Sequence, residues 1–303
     1  MISKLFFTTV VFFASFFPCH AFGFNDSLLT TTLSYPGHHN SGGINIFVIS
    51  KDKYFDNISR VITLQARFAG WMHHRKLKII MAHSTNDAAS KIAAIVDKCH
   101  CTIDNLWFDS HGKYRKRYSS FIIGSNEYSY KNITDTNQCQ DLKKIASYCD
   151  QFTNIGIGAC YAAATFNFPL PDSIHMNMQG DSLLNGIGHI FKGSFVYGSE
   201  SWVMAKPGMF GIRNALAGYP LGKEYKDILF KPVWDRLGMW RRYNPAKFEV
   251  EDINTVYLSG KAGIVVEKNS YLTSKRAQRK QLRHLKKLVP GCYKLSEEHL
   301  LKG

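Results

Sequence analysis

Apolar residues fall along the chain in two rhythms. Runs of five to seven mostly apolar residues predict strands at Ile44–Ser50 (INIFVIS), Leu77–Met81, Ile103–Phe108, Phe152–Ile157 and Ser194–Gly198. Between them the spacing turns helical. Residues 55–68 carry Ile58, Val61, Ile62, Leu64 and Phe68, and further helices are predicted over Asn86–Val96, Asp141–Tyr148 and Ser182–Phe191. Ser120–Gly124 and Glu127–Tyr130 read as a hairpin turning at Ser125-Asn126. Continuous apolar strands alternating with helices predict an α/β fold, a mostly parallel sheet with helices on both faces. Such sheets bind ligands beyond the carboxyl ends of their strands, so the segments after the third, fourth and fifth strands are the places to look. Past Trp202 the rhythm weakens. Residues 208–238 are rich in Gly and Pro with helical fragments, and Phe248–Tyr257 and Ala262–Glu267 read as strands.

The amino terminus has a different pattern. Lys4 precedes thirteen uncharged residues, Leu5–Phe17, and Pro18-Cys19-His20-Ala21 offers small residues for a cut after Ala21. This is the layout of a secretory signal peptide, and the run is short for a membrane span, which needs roughly 20 apolar residues. The expected organisation is a signal peptide (1–21), a polar leader or loop (22–43), an α/β domain (44–202) and a C-terminal elaboration (203–303). The expected location is secreted or periplasmic. The 45% hydrophobic and 14% aromatic content excludes a disordered or collagen-like chain. Seven cysteines are too few for a disulfide scaffold of this length. In an oxidising compartment Cys139 and Cys149, which bracket a short segment, are the expected pair. Cys99-His100-Cys101 lacks a second Cys/His pair at zinc-finger spacing and reads as a helix-to-strand junction.

Two strand ends carry reactive residues. The third strand runs into Ser110-His111-Gly112, and the fourth into Gly158-Ala159-Cys160-Tyr161. A thiolate attacks carbonyls, and a helix N-terminus lowers a thiol's pKa; Tyr161-Ala162-Ala163-Ala164 reads as a helix start after Cys160. His111 could protonate a leaving amine. Gly112 would let a substrate backbone approach, and its N–H with that of Cys160 could form an oxyanion hole. Asp109 shares the strand face of His111 and could orient the imidazole or simply bond a turn. Taken singly, Cys160 also reads as a buried small hydrophobe and His111 as a bonded strand-end histidine.

An apolar strand ending in His111-Gly112, then an apolar strand ending in Ala159-Cys160, resembles the caspase-fold cysteine peptidases. That group includes caspases, legumains, gingipains, clostripain, separase and toxin autoprocessing domains. Cys160 follows His111 by 49 residues; caspases carry their histidine about 50 residues before the cysteine. The resemblance spans roughly Ile44 to Trp202. It implies a three-layer caspase-like fold and a cysteine endopeptidase working through an acyl-enzyme. Cys160 would be the nucleophile and His111 the proton donor, with no obligatory third member and no cofactor or metal. The partner would be a protein or peptide substrate. Gly158, Ser199, Glu200, Ser201 and Trp202 fall where family members line the substrate cleft. There are departures. The caspase pentapeptide Q-A-C-[RQG]-G is replaced by Gly158-Ala159-Cys160-Tyr161-Ala162. Gly158 also stands where several Arg/Lys-specific members carry an acidic residue, so basic specificity is not supported from that position, and Glu200 could supply charge instead.

Charge adds a second theme. The formal net charge is +15, and loss of residues 1–21 removes only Lys4. Lys275, Arg276, Arg279, Lys280, Arg283, Lys286 and Lys287 supply half of what remains, with no acid among them. Leu282, Leu285 and Val289 would give residues 275–289 an amphipathic helical face, a solvated helix or a binder of an anionic surface or ligand. No DNA-binding module is evident. A second reading is therefore a catalytically inactive caspase-fold binding module acting through this basic helix. A third is an unrelated exported α/β protein. Gly180-Asp181-Ser182-Leu183 matches the GDSL esterase signature, but no Asp-x-x-His follows, and Asp181 or Ser182 reads as a helix cap. His38-His39 and His73-His74 are adjacent pairs and do not share a helix face.

Overall fold

Strand β1 (Ile44–Ser50) is buried along its whole length, which a strand achieves between two neighbours in a sheet covered on both faces. In the computed structural model it does lie there. The structure describes residues 43–55, 57–112, 118–169, 175–200, 203–208, 211–216, 240–254, 256–259 and 262–266. The signal segment, the leader as far as residue 42, Ser201, Trp202 and the basic segment 275–289 lie outside them.

Around β1 the chain lays down β2 (Leu77–Ala82), β3 (Ile103–Asp109), β6 (Asn154–Gly158) and β9 (Val196–Ser199), all parallel to it. A hairpin, β4 (Ser120–Ile123) and β5 (Asn126–Ser129), intervenes between β3 and β6, and a second, β7 (Thr165–Pro169) and β8 (His175–Gln179), between β6 and β9. Antiparallel β12 (Trp240–Asn244) and β13 (Glu249–Ile253) extend the sheet past β9, giving the order β13-β12-β9-β6-β3-β1-β2. The main sheet therefore continues beyond Trp202. A smaller sheet joins β10 (Val203–Gly208), β11 (Gly211–Leu216), β14 (Val256–Ser259) and β15 (Gly263–Val266). Part of the segment expected to hold helical fragments is thus the strand β11.

Strand alternation sorts the core into two halves. Ile44, Ile46, Val48, Leu106 and Phe108 face helices α2 (Thr85–Cys99), α3 (Gln140–Ala146) and α4 (Gly180–Ile190), which contribute Ala88, Ile92, Leu142, Ile145, Leu183 and Ile187. Phe47, Ile49 and Trp107 face the other way, toward Ala66 of α1 (Asn57–Met72), Trp240, and Val256 and Leu258 of the smaller sheet. The result is a three-layer α/β fold with a mostly parallel sheet and helices on both faces. Helix α2 is capped by Ser84, whose hydroxyl accepts the Asp87 N–H at 3.1 Å. Helix α4 begins after Gln179, so neither Asp181 nor Ser182 is its cap. The Asp181 carboxylate instead pairs with Arg241. No described helix is long and apolar enough to cross a membrane.

The cysteines pair differently from expectation. Cys99 and Cys101 form a disulfide where α2 gives way to β3, while Cys139 and Cys149 are both free. His100 between the bonded cysteines has φ +50°, and this left-handed turn brings the two side chains to one side.

Candidate active site

The register of the parallel strands sets Ile49, Asp109 and Gly158 abreast at the carboxyl edge. Each chain then runs outward by a few residues, delivering Asp52 from β1, His111 from β3, Cys160 from β6 and Glu200 from β9. The Ser110 N–H donates to the Gly158 carbonyl at 3.3 Å, holding the His111 segment against the Cys160 segment. Contact is closest at Gly112. A Cβ on that residue would collide with the Cys160 carbonyl oxygen. Gly112 is thus required by the packing of the protein on itself, in addition to any approach by a ligand.

His111 is held by a residue that sequence analysis missed. Its Nδ1 lies 3.0 Å from Asp52 Oδ2. The Asp52 side chain is 1% exposed and that of His111 43%, so a buried carboxylate anchors a ring that faces solvent. Asp52 is itself braced. Oδ1 accepts the Tyr54 N–H at 2.7 Å and Oδ2 accepts the Ser50 hydroxyl at 3.2 Å. The Ser50 oxygen in turn accepts the N–H of Gly124, in the turn of the β4–β5 hairpin, at 2.9 Å. A continuous chain of bonds therefore runs from the hairpin to the imidazole. With a carboxylate acceptor at Nδ1, the ring proton is assigned there. Tyr54 lies beside the ring, with centroids 5.8 Å apart. Asp109 does not bond His111. Burial pushes its carboxyl up to about 7, the His111 charge opposing the rise and the Asp52 charge adding to it. The one signal for Asp52 was its position, two residues past a fully buried strand.

Cys160 is not at a helix N-terminus. Residues 160–163 form turns, Tyr161 has φ +59°, and the chain passes directly into β7. Helix propensity in Tyr161-Ala162-Ala163-Ala164 is overridden by tertiary structure: Tyr161 is fully buried, and the Ala163 N–H donates to the Ser199 carbonyl at 2.9 Å. The Val203 N–H donates to Cys160 Sγ at 3.4 Å, and Sγ approaches the Val203 carbonyl at 3.7 Å. Burial pushes the thiol up to about 11; the Val203 bond opposes the rise and Asp109 adds to it. In this arrangement Cys160 is a neutral thiol, the reverse of the lowered pKa that a helix start would have produced.

The remaining predicted cleft residues divide. Gly158 and Ser199 are buried strand ends. Glu200 is buried too, with a carboxylate oxygen 3.8 Å from Arg241 Nε, so its charge faces a protein cation. Ser201 and Trp202 lie outside the described residues. Among the described residues no group of three or more His, Cys, Asp or Glu side chains could hold a metal ion.

Among solved structures the chain is similar to caspase-1 from Spodoptera frugiperda, with 14% identity and a TM-score of 0.28, over 59% of this chain and 66% of the length of that one. The chain matches no family model and no curated protein.

Proposed function

We propose that the protein is an exported cysteine endopeptidase of the caspase-like type, with Cys160 as nucleophile, His111 as proton carrier and Asp52 positioning His111. The observation that carries the reading is the abutment of Gly112 on the Cys160 backbone beside an imidazole anchored by buried Asp52. Substrate binding would have to draw Cys160 Sγ away from Val203. The thiol proton then passes to His111 Nε2, and Sγ bonds to the substrate carbonyl carbon. The resulting oxyanion is held by the N–H groups of Gly112 and Cys160. Collapse breaks the C–N bond, and the amine leaves with the proton from His111. Water, deprotonated by the same ring, then hydrolyses the thioester and returns the proton to sulfur.

The test is hydrolysis of a peptide library by the purified chain. Cys160→Ala should lower the rate by about 10³-fold or more without changing the melting temperature. Hydrolysis that survives Cys160→Ala would sink the proposal. A second reading, a binding module of the same fold without activity, draws on the neutral thiol engaged by Val203. It predicts no hydrolysis by the wild type, and alkylation of Cys160 by iodoacetamide that keeps rising with pH through 9 and is unaltered by His111→Ala.

A further inference from the structure

We infer that the outer face of α1, with the turn that follows it, is a docking surface for an anionic lipid bilayer. Exposed large apolar residues elsewhere, such as Phe152 and Phe248, stand on separate turns. Single exposed apolar residues of that kind are ordinary. On α1 they gather. Leu64 is 68% exposed, Trp71 71% and Met72 38%, at positions i, i+7 and i+8 of one helix. Exposed Arg60 and Arg67 alternate with Leu64 and Trp71 along the same stripe. Exposed His74, Arg75 and Lys76 continue it into the next turn.

The charge is one-sided. From Asn57 to Asn86 the sequence holds Arg60, Arg67, Arg75, Lys76 and Lys78 and no Asp or Glu. A polyanion alone would account for the basic residues. It would gain nothing from aliphatic Leu64 and Met72, whereas a bilayer takes both: cations at the phosphates, apolar side chains and an indole just beneath them. The geometry is also suitable. Helix α1 runs back from the carboxyl ends of the strands, where Asp52 and His111 sit, to the amino end of β2. Its sixteen residues span about 24 Å, so Trp71 and the basic turn lie at the end of the sheet opposite the candidate site. Docking there would leave that site facing away from the lipid.

The experiment is co-sedimentation of the full purified chain with phosphatidylcholine vesicles, with and without 30 mol% phosphatidylglycerol, on the order of the surface charge of natural anionic membranes. Binding is expected with the anionic vesicles alone and should fall steeply by 0.5 M NaCl, where screening is severe. Trp71→Ser should weaken partitioning roughly tenfold, Leu64→Ser similarly, and Arg75→Gln or Arg60→Gln roughly fivefold each. All are exposed positions, so unchanged melting temperatures keep the comparison clean. Three results overturn the inference. One is no binding to anionic vesicles. Another is binding unaffected by the α1 variants but lost when the seven basic residues of 275–287 are neutralised. The third is a dimer, seen by sedimentation equilibrium, that Leu64→Ser converts to monomer while vesicle binding is unchanged.

Discussion

At the amino ends of the parallel strands, the most deeply buried polar side chains are neutral and paired, and Asp104 is only part-buried, beside Gly43. Asn105 donates to Asn45 across β1 and β3 at 2.8 Å and accepts the Ile264 N–H at 3.1 Å. The Thr153 hydroxyl donates to the Ile103 carbonyl at 2.7 Å. At the carboxyl ends the same sheet gathers ionisable groups: Asp52, Asp109, His111, Cys160 and Glu200. Neutral pairs satisfy backbone and amide groups at modest cost, whereas carboxylates and thiols are expensive to desolvate. A fold that only needed its strand ends closed would be served by the first solution. The second collects groups whose protonation responds to surroundings, as reactive sites do.

Substitutions at the two ends should therefore fail in different ways. Beyond Cys160 itself, the largest effect is expected at Asp52. Asp52→Asn keeps the shape but removes the charge and permits the wrong ring tautomer; peptide hydrolysis should lose about 10²-fold in kcat with KM within about twofold. Equal kcat in wild type and variant would reduce Asp52 to a support for its loop. At the amino end, Asn105→Leu should cost about 1–3 kcal/mol in urea unfolding, because Asn45 and the Ile264 N–H both lose a partner. It should leave the alkylation rate of Cys160 unchanged, and a changed rate would break the distinction between the ends.

The smallest effect is a pH dependence at Asp109. Its folded pKa, about 7, stands above the ordinary 3.8. The folded protein therefore holds this proton between those values while the unfolded chain does not. The stability it contributes is complete below about 3.8 and is lost as pH rises toward 7. Asp109→Asn should raise the melting temperature by a few degrees at pH 8 relative to pH 5. It should also lower the Cys160 thiol pKa, since the Asp109 charge raises it. Equal differences at both pH values would show that Asp109 is solvated like a surface carboxylate.

How much of this could be read from the chain follows from how local the cause is. Strands β1, β3 and β6 announced themselves because burial on both faces demands unbroken apolar runs, and their ends then located His111 and Cys160. Asp52 escaped because its partner is 59 residues away and its neighbours, Lys51 and Lys53, read as an ordinary charged loop. Tyr161 misled for the opposite reason. Its local context favours a helix, while the bond from Ala163 to Ser199 and complete burial of the phenol ring decide its conformation. The thiol's chemistry was out of reach in the same way, being governed by burial that the tertiary fold imposes, with the bond from Val203 on a later strand only opposing it. The Cys99–Cys101 disulfide depends on a single left-handed residue, His100, that no periodicity reveals.

The contact beneath Gly112 gives position 112 a diagnostic value for any chain related to this one. Because position 112 cannot carry a side chain while the His111 loop rests on the Cys160 carbonyl, the two positions should vary together across relatives. A relative that keeps the cysteine but places a larger residue after the histidine has separated the two loops and lost the joint site, whatever its other residues suggest. A relative with the glycine but no cysteine has kept the architecture and abandoned the chemistry. Positions 112 and 160 read together therefore sort relatives of this fold into those that keep the two loops in contact with a thiol beside them and those that do not.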